Sequence, residues 1–372
     1  MRQDRAIVVI GATGYTGRLV ARTIAREAQA GSAPFDGRLV LAARDAGRLE
    51  ALAGDLDAGI TELVDVTDPA SLHRLIRAGD AVINTAGPFT ELGEPVVRAC
   101  IEAGAHYLDT TGEQPWMRRM HLRHNAAARS AGVAVVNAMA FEYALGDCAL
   151  GLAVRELGAP VRSADVIYAW GGAASSAGTR RTVLRMLGRR GWVRRDGGFE
   201  RQASGSGHRR VRLRSGVTLD AVAFPSGEVV TAPRQHTIDT VRGWLVMGSR
   251  AARLTPLLAP ALPVLVPVLR PLVEPLVTRG PDPTPAQREA SRFTIRVELE
   301  ATDGRRHALE VHGRDPYGLT ALIAARGARR TWEPGAPAGV IAPSELVEPG
   351  AFLASLSTHG VRLVRDPDSP VG

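Results

Sequence analysis

The chain of 372 residues contains no lysine, so all 46 of its basic Lys and Arg positions are arginines. Without lysine the protein cannot form a Schiff base, use a P-loop lysine or carry the Tyr-x-x-x-Lys pair of short-chain dehydrogenases. Any proton used in catalysis must therefore come from Tyr, His, Asp, Glu, Cys, a hydroxyl group or water.

Cysteine is nearly absent, and the two that occur do not pair. Cys100 and Cys148 each lie in an apolar helical pattern rather than in a C-x-x-C motif, and no cleavable signal pattern is visible at the N-terminus. We therefore expect a reduced, cytoplasmic protein with buried thiols. The nine histidines show no metal-ligand spacing, so we predict no bound metal.

A glycine-rich turn follows the apolar run 6–10 and precedes a helical pattern over 18–30. Its first glycine permits a tight turn, the second lets backbone approach a pyrophosphate, and the third allows close helix packing. The helix N-terminus offers N–H groups and a partial positive charge. An ordinary strand–helix turn is the alternative to dinucleotide binding. The residues predicted to bind the dinucleotide here are Gly11, Thr13, Gly14, Tyr15, Thr16 and Gly17.

The second predicted strand, 38–43, ends at Arg44. NAD-selective sites place Asp or Glu at this point, on the ribose 2′-hydroxyl. A guanidinium can instead bind a 2′-phosphate through two charge-assisted hydrogen bonds. We therefore predict NADP(H) over NAD(H), with a solvated strand-end charge as the alternative role of Arg44.

The pattern of strands continues as a doubly wound parallel sheet requires, up to a sixth strand over 133–136. Ligands bind at the carboxyl ends of strands in such open α/β sheets. We place Asp65 near the adenine, and plain strand-to-helix loops are the alternative at each strand end. The residues predicted near the nicotinamide ribose are Asn84, Thr85, Ala86, Gly87 and Pro88.

The length exceeds that of one ordinary core, so we predict two domains. A Rossmann NADP-binding domain spans 1–150, an α+β substrate or dimerisation domain spans 151–315, and C-terminal helices span 316–372, with their return to the Rossmann domain left open. A helix is predicted over 146–157, and we expect a homodimer. The later strands are predicted over 164–170, 211–214, 217–224, 228–231, 244–247, 293–300 and 308–311.

Between Arg180 and Arg214 lie twelve arginines and only two acids, Asp196 and Glu200. A basic loop of this kind indicates an anionic partner, such as a carrier protein, coenzyme A or an anionic lipid. Its aromatics are limited to Trp192 and one phenylalanine, and no nucleic-acid-binding motif accompanies it, so we do not expect nucleic acid. A solvated arginine-rich excursion is the alternative.

The segment 254–278 is apolar and repeatedly interrupted by proline, with no charge over 254–269. The prolines break a regular spanning helix, and the uncharged run is shorter than the about 20 residues that a bilayer requires. Three interpretations stay open: a peripheral contact with a membrane surface, a cover over a greasy substrate channel, or a buried, kinked connection.

In combination these motifs resemble those of the saccharopine dehydrogenase-like oxidoreductases, including the trans-acting enoyl reductases of polyketide-lipid synthesis. The resemblance implies an NADPH-linked reductase that has a Rossmann domain with an inserted α+β domain and acts on a hydrophobic or acyl substrate. It is carried by 11–17, 84–89, 93–97, 107–113 and 178–179, with similar runs at 280–281, 315–321 and 339–343.

One departure from the family lies after the sixth strand. Relatives commonly have Gly-Phe-Asp-Ser-x-Pro-Ser-Asp, whereas residues 140–147 read Ala-Phe-Glu-Tyr-Ala-Leu-Gly-Asp, so a shared substrate does not follow. We expect this loop to lie close to the nicotinamide. Asp147 matches the family, and we expect it to cap a helix.

We predict that NADPH delivers a hydride to a C=C or C=O bond while a nearby phenol or acid supplies the proton. Tyr143 is the preferred donor, although a packing tyrosine is an open alternative, and Glu142 and Tyr107 are further candidates. The competing hypothesis is a sensor or lipid-surface protein that holds NADP(H) without turnover.

Overall fold

The structure is a computed structural model that describes residues 5–30, 37–171, 175–187 and 189–366. The chain divides into two compact units, each of which is described by itself. Unit 1 is formed by Met1–Thr111, Trp116–Phe141 and Tyr317–Val347, and unit 2 by Gly112–Pro115, Glu142–Pro316 and Glu348–Gly372.

The strands and helices alternate up to β7 and then follow a less regular order. The strands are β1 (Ala6–Ile10), β2 (Arg38–Ala43), β3 (Ile60–Leu63), β4 (Ala81–Asn84), β5 (His106–Asp109), β6 (Ala134–Val136), β7 (Val161–Gly171), β8 (Arg190–Arg195), β9 (Gly198–Ala203), β10 (His208–Arg212), β11 (Thr218–Phe224), β12 (Ile238–Val246), β13 (Arg292–Ala301), β14 (Arg306–Arg314), β15 (Gly339–Ile341) and β16 (Arg362–Arg365). The helices are α1 (Tyr15–Gln29), α2 (Ala46–Leu56), α3 (Pro69–Leu75), α4 (Phe89–Ala103), α5 (Gln114–Ser130), α6 (Phe141–Leu157), α7 (Ala177–Leu187), α8 (Glu228–Gln235), α9 (Ser249–Leu258), α10 (Leu262–Thr278), α11 (Pro285–Ala290), α12 (Pro316–Arg330), α13 (Pro343–Leu346) and α14 (Pro349–Ser355), with a 3₁₀ turn at Ser357–His359.

Unit 1 contains a seven-stranded parallel sheet in the order β15-β6-β5-β4-β1-β2-β3. The strand order reverses beside β1, which is where doubly wound sheets bind ligands. Every residue of β1 and β4 is buried, as expected for central parallel strands covered on both faces. The predicted Rossmann sheet is confirmed, and β15 adds a seventh strand beside β6.

Unit 2 contains a nine-stranded mixed sheet in the order β10-β11-β12-β7-β13-β14-β16, to which the β8–β9 hairpin attaches through β12. The long antiparallel pair of β7 and β13 forms its centre. Helices pack beside this sheet, which confirms the predicted α+β architecture. Both cysteines are buried free thiols, as expected.

Two predictions about local structure in unit 2 were wrong. The segment 228–231 begins helix α8 rather than forming a strand, although its β-branched residues favour a strand. The arginine-rich segment is not a loop, because its described residues form most of α7 and all of β8, β9 and β10. An Asp196–Gly197 pair with positive φ at both positions turns β8 into β9, and such a pair is a hairpin signal in the sequence.

Several arginines of this segment are engaged within unit 2. Arg209 Nη1 lies 3.0 Å from Asp165 Oδ2, and its Nη2 lies 2.6 Å from Glu298 Oε2. Arg194 Nε donates to the Ile238 carbonyl over 2.8 Å. The segment therefore uses part of its charge to hold its own sheet, while other arginines of the segment, such as Arg190, Arg201 and Arg212, are exposed.

The apolar segment forms α9 and α10, and none of the residues in α10 is buried. The interpretation as a buried, kinked connection is therefore wrong. Across the described ranges, no single helix has the length and apolar character needed to cross a membrane. By length and composition, α9 and α10 reach that threshold only as a pair, with a 104° bend between them.

Candidate functional site

The turn between β1 and α1 has the backbone geometry that a phosphate cradle needs. Gly11 has a φ of 78°, and a Cβ at this position would lie 2.9 Å from Thr85 Oγ1. A Cβ at Gly17 would collide with the Gly11 carbonyl oxygen, so the first turn of α1 packs directly on the loop. Both positions therefore require glycine.

The N-terminus of α1 can accept an anion. Gly14 is its N-cap, and among the described residues no side chain caps the helix there. The amides of a helix's first turn lie at the positive end of its dipole, and here that turn begins at Tyr15. This arrangement fits a pyrophosphate, as the glycine spacing predicts.

Three arginines lie around this turn. Arg44 is exposed directly after β2. Arg18 Nη1 and Arg48 Nη2 both donate to the Thr13 carbonyl, over 2.9 and 3.1 Å. The sequence analysis did not single out Arg48. Its position in the first turn of α2, the helix that follows β2, was the signal that could have indicated it. A phosphate at this edge would meet positive charge from both β2 and α2.

Asp65 is exposed after β3, and its carboxylate is held by its own loop. Oδ1 accepts hydrogen bonds from the Thr67 amide at 2.9 Å and from the Thr67 hydroxyl at 2.7 Å. These bonds, with a smaller contribution from the charge of Arg44, lower the pKa of Asp65. The carboxylate therefore stays charged at the same edge as Arg44.

The loop after β4 is held in place by the side chains of Asn84 and Thr85. Asn84 is fully buried: its Nδ2 donates to Tyr107 Oη at 3.3 Å, and its Oδ1 accepts from the Ala86 amide at 3.0 Å. Thr85 Oγ1 donates to the Ile10 carbonyl at 2.9 Å. The two side chains thus fix the loop to β1 and β5, which leaves the backbone over Ala86–Pro88 as the part that could face a ligand.

Tyr107 belongs to a buried network around Asp109. Its ring is fully buried, and its hydroxyl donates to Asp109 Oδ2 at 3.1 Å. The same carboxylate accepts from Trp116 Nε1 at 2.7 Å, Asn137 Nδ2 at 2.8 Å and the Ala138 amide at 2.8 Å. The structure gives Tyr107 a role in fixing the loops after β5 and β6, with no exposed surface at which to meet a substrate.

Burial disfavours the ionised forms of both Tyr107 and Asp109. Burial, and then the charge of Asp109, raise the pKa of Tyr107 well above its usual value. Burial also raises the pKa of Asp109, while the hydrogen bonds from Ala138, Trp116 and Asn137 oppose that rise.

Glu142 and Tyr143 lie in the first turn of α6, which begins five residues earlier than predicted. They therefore occupy a helix and not a loop. Burial raises the pKa of Glu142 to about 7. Tyr143 is buried, and its hydroxyl lies 3.4 Å from both the Gly112 and Pro225 carbonyls. Burial raises the pKa of Tyr143 well above its usual value, so its phenol keeps its proton.

A second carboxyl group, missed in the sequence, lies beside Tyr143. Glu228 is 1% exposed at the start of α8, and its Oε1 accepts a hydrogen bond from Tyr168 Oη. The Tyr143 and Tyr168 rings meet edge to face at 6.0 Å. Burial raises the pKa of Glu228 to about 8. A strand was predicted at 228, and nothing in that pattern indicates a buried acid.

A glycine on α6 makes room for this pair. A Cβ at Gly146 would lie 2.7 Å from Tyr168 Oη and closer still to Glu228 Oε1. The next residue, Asp147, does not cap a helix as predicted, because it lies in the middle of α6. Its Oδ1 accepts from Thr231 Oγ1 at 2.6 Å and so ties α6 to α8. Unit 2 thus gathers two protonatable carboxyls and two phenols within α6, β7 and α8.

Among the described residues, no cluster of His, Cys, Asp and Glu has the arrangement of a metal site.

Comparison with known proteins identifies the first part of the chain. The family described as "Saccharopine dehydrogenase NADP binding domain" matches residues 7–136. A saccharopine dehydrogenase-like oxidoreductase of Rattus norvegicus is 33% identical over 37% of this chain and 34% of its own length. A protein of Mycobacterium tuberculosis named as a trans-acting enoyl reductase is 36% identical over 41% of this chain and 37% of its own length. These matches thus span about a third of the length of the curated relatives.

Solved structures share the fold over a longer range. Saccharopine dehydrogenase (L-Glu forming) from Saccharomyces cerevisiae superposes with a TM-score of 0.64 and 13% identity, covering 97% of this chain and 100% of its own. Homospermidine synthase from Legionella pneumophila, in complex with NAD, gives a TM-score of 0.64 and 9% identity, covering 98% of this chain and 92% of its own. Residues 7–136 are thus similar to the NADP-binding domain of the saccharopine dehydrogenases, and the solved structures show that the fold is shared over most of the chain.

Proposed function

We propose that the protein is an NADPH-dependent reductase acting on a C=C or C=O bond of a hydrophobic or acyl substrate. The main support is the turn at Gly11–Gly17, a glycine cradle on an uncapped helix N-terminus that is flanked by Arg44 and Arg48. When bound, NADPH supplies the hydride. The enoyl reductase name of the mycobacterial relative supports a C=C bond as the target.

We further propose that Glu142 holds the proton that the reduction consumes. A general acid works best when its pKa is near the working pH, and burial brings the pKa of Glu142 to about 7. The phenol of Tyr143 is a much weaker acid, because its pKa rises well above the usual value of 10. The structure therefore favours Glu142 over Tyr143 as the donor, which reverses the order expected from the sequence.

Along the chain, Glu142 directly follows the segment of unit 1 that leaves the carboxyl end of β6. The carboxyl end of β6 lies at the same sheet edge as the turn after β1, because the strands are parallel. The loop from β6 ends at Phe141, whose amide donates to Thr320 Oγ1 at 3.1 Å within unit 1. Glu142 follows after one peptide bond, so its Cα lies about 3.8 Å from that of Phe141.

The test is NADPH oxidation by the purified protein against enoyl and oxoacyl thioesters, with polar amino and oxo acids as the comparison panel. Turnover of the apolar substrates alone would support the proposal. Tight NADPH binding without hydride loss on any of them would instead support the sensor hypothesis. Turnover of the amino and oxo acids alone would contradict the substrate class but not the redox function.

The proton donor is tested with Glu142→Gln and, as its matched neighbour, Tyr143→Phe. Above about pH 7, wild-type turnover should fall about ten-fold per pH unit as Glu142 loses its proton. Glu142→Gln should lower turnover by about 10²-fold or more and abolish that pH limb. Tyr143→Phe should keep the wild-type turnover and its fall above about pH 7. If Tyr143→Phe instead lost turnover and Glu142→Gln kept it, the proton would be assigned to Tyr143.

A further inference from the structure

Helices α9 and α10, which meet at a bend of 104° and are together called the apolar hairpin here, carry their hydrophobic side chains on the outside. Leu257 is 77% exposed and Leu272 is 71% exposed. A helix of a soluble domain normally turns such residues toward a core. The large exposed residues of the apolar hairpin are Leu254, Leu257, Leu258, Val264, Leu265, Val268, Leu269, Leu272 and Leu276.

The acid of α10 points the other way, toward α7. The helix contains two charged residues, Arg270 and Glu274. Glu274 is 19% exposed, and its Oε1 lies 2.9 Å from Arg181 Nε and 3.4 Å from Arg185 Nη2, both on α7. The polarity of α10 is thus reversed relative to a helix exposed to water, since its ion pairs face protein and its leucines face outward. A helix that contacts hydrocarbon needs this arrangement.

The ends of the apolar hairpin are basic. Arg250 and Arg253 are exposed in the first turn of α9, one helical turn before Leu254 and Leu257. Arg279 is exposed directly after α10. The only acid between residues 249 and 280 is the paired Glu274, and Asp220, whose charge acts on Arg253, is buried, so the exposed charges of the rim are arginines. Arginines next to an apolar stripe bind the phosphates of anionic lipids.

The charge pattern distinguishes a lipid surface from a second copy of this chain. A two-fold interface brings the same patch together from both copies, so the positive charge of one rim would repel the positive charge of the other. An anionic headgroup layer complements the same rim. We propose that the apolar hairpin docks the protein on the surface of an anionic lipid bilayer.

The prolines of α10 set the depth of this contact. Pro267, Pro271 and Pro275 lie inside the helix and lack N–H groups, so each leaves the carbonyl four residues earlier without its helical partner. Hydrocarbon cannot satisfy those carbonyls, whereas water and headgroups can. The hairpin therefore lies in the interface, about 5–10 Å deep, rather than across the bilayer.

The test is sedimentation of the full chain with vesicles of phosphatidylcholine alone or mixed with phosphatidylglycerol. We expect binding to the mixed vesicles that weakens with salt and is weaker on phosphatidylcholine alone. Val268→Glu with Leu272→Glu should lower partitioning by about ten-fold or more, because both residues leave the interface. Leu122→Glu with Val217→Glu adds the same charge at exposed apolar positions elsewhere and should leave partitioning within about two-fold of the wild type, since neither residue belongs to the apolar hairpin.

A second pair of variants tests the basic rim without touching the apolar face. Arg250→Gln with Arg253→Gln should lower binding to the anionic vesicles by about five-fold per arginine and leave the weak binding to neutral vesicles unchanged. Far-ultraviolet circular dichroism and urea unfolding, compared with the wild type, check that each variant is folded. The proposal does not depend on hydride transfer, so an inactive protein that binds vesicles would still support it.

Three results would overturn the docking proposal. The wild type could fail to bind either kind of vesicle, or the variant with Val268→Glu and Leu272→Glu could bind the vesicles as well as the wild type does. It could also form a dimer in sedimentation equilibrium that these substitutions dissociate, with no vesicle binding, and that result would assign the face to a second copy.

Discussion

Replacing Glu228 by glutamine should stabilise the protein at neutral pH. The carboxyl group is 1% exposed, and burial raises its pKa from 4.5 to about 8. Its folded-state pKa lies above the unfolded value, so the stability that it contributes is complete at acidic pH and is lost as the pH rises toward 8. Near pH 7 that loss amounts to about 3 kcal/mol, because the unfolded carboxyl ionises while the folded one stays protonated.

Glutamine keeps an oxygen for the Tyr168 hydroxyl and cannot ionise. We therefore expect Glu228→Gln to match the wild type near pH 4 and to exceed its free energy of unfolding by about 3 kcal/mol near pH 7. Urea unfolding at several pH values, followed by tryptophan fluorescence, measures the difference. The exposed Glu289, on α11 of the same unit, provides Glu289→Gln as the control, which should leave the pH dependence unchanged. Parallel curves for Glu228→Gln and the wild type would refute the reasoning.

Two further predictions concern unit 1. Arg44→Ala should weaken NADP(H) binding by about 10- to 100-fold and leave NAD(H) binding unchanged, because a charge-assisted phosphate contact is lost. Titration with both cofactors measures the two affinities. An unaltered ratio of these affinities would mean that Arg44 does not determine the cofactor preference. Asp109→Asn should cost about 2–4 kcal/mol in urea unfolding, since either orientation of the amide points an N–H at donors that now bond to the carboxylate. A loss of under about 1 kcal/mol would mean that the network relaxes around the change.

The cofactor turn was predictable because its requirements are local. Gly11 and Gly17 have no room for a Cβ, and the strand before them and the helix after them follow from short-range patterns. The helical start of 228–235 was not predictable in this way. Its β-branched residues favour a strand locally, and the buried contacts of Glu228 with Tyr168, 60 residues away, appear only after folding.

By itself the sequence determined the glycine turn between β1 and α1, the alternation of strands and helices in the first sheet and the basic position at Arg44. In each case the pattern that predicts the feature lies within a short stretch of the chain. Tertiary structure alone decided that Glu142 and Glu228 have raised pKa values, that Tyr107 is committed to Asp109, and that α10 turns its leucines outward. Burial and ion pairing depend on which distant segments meet, and no periodicity within a segment records that.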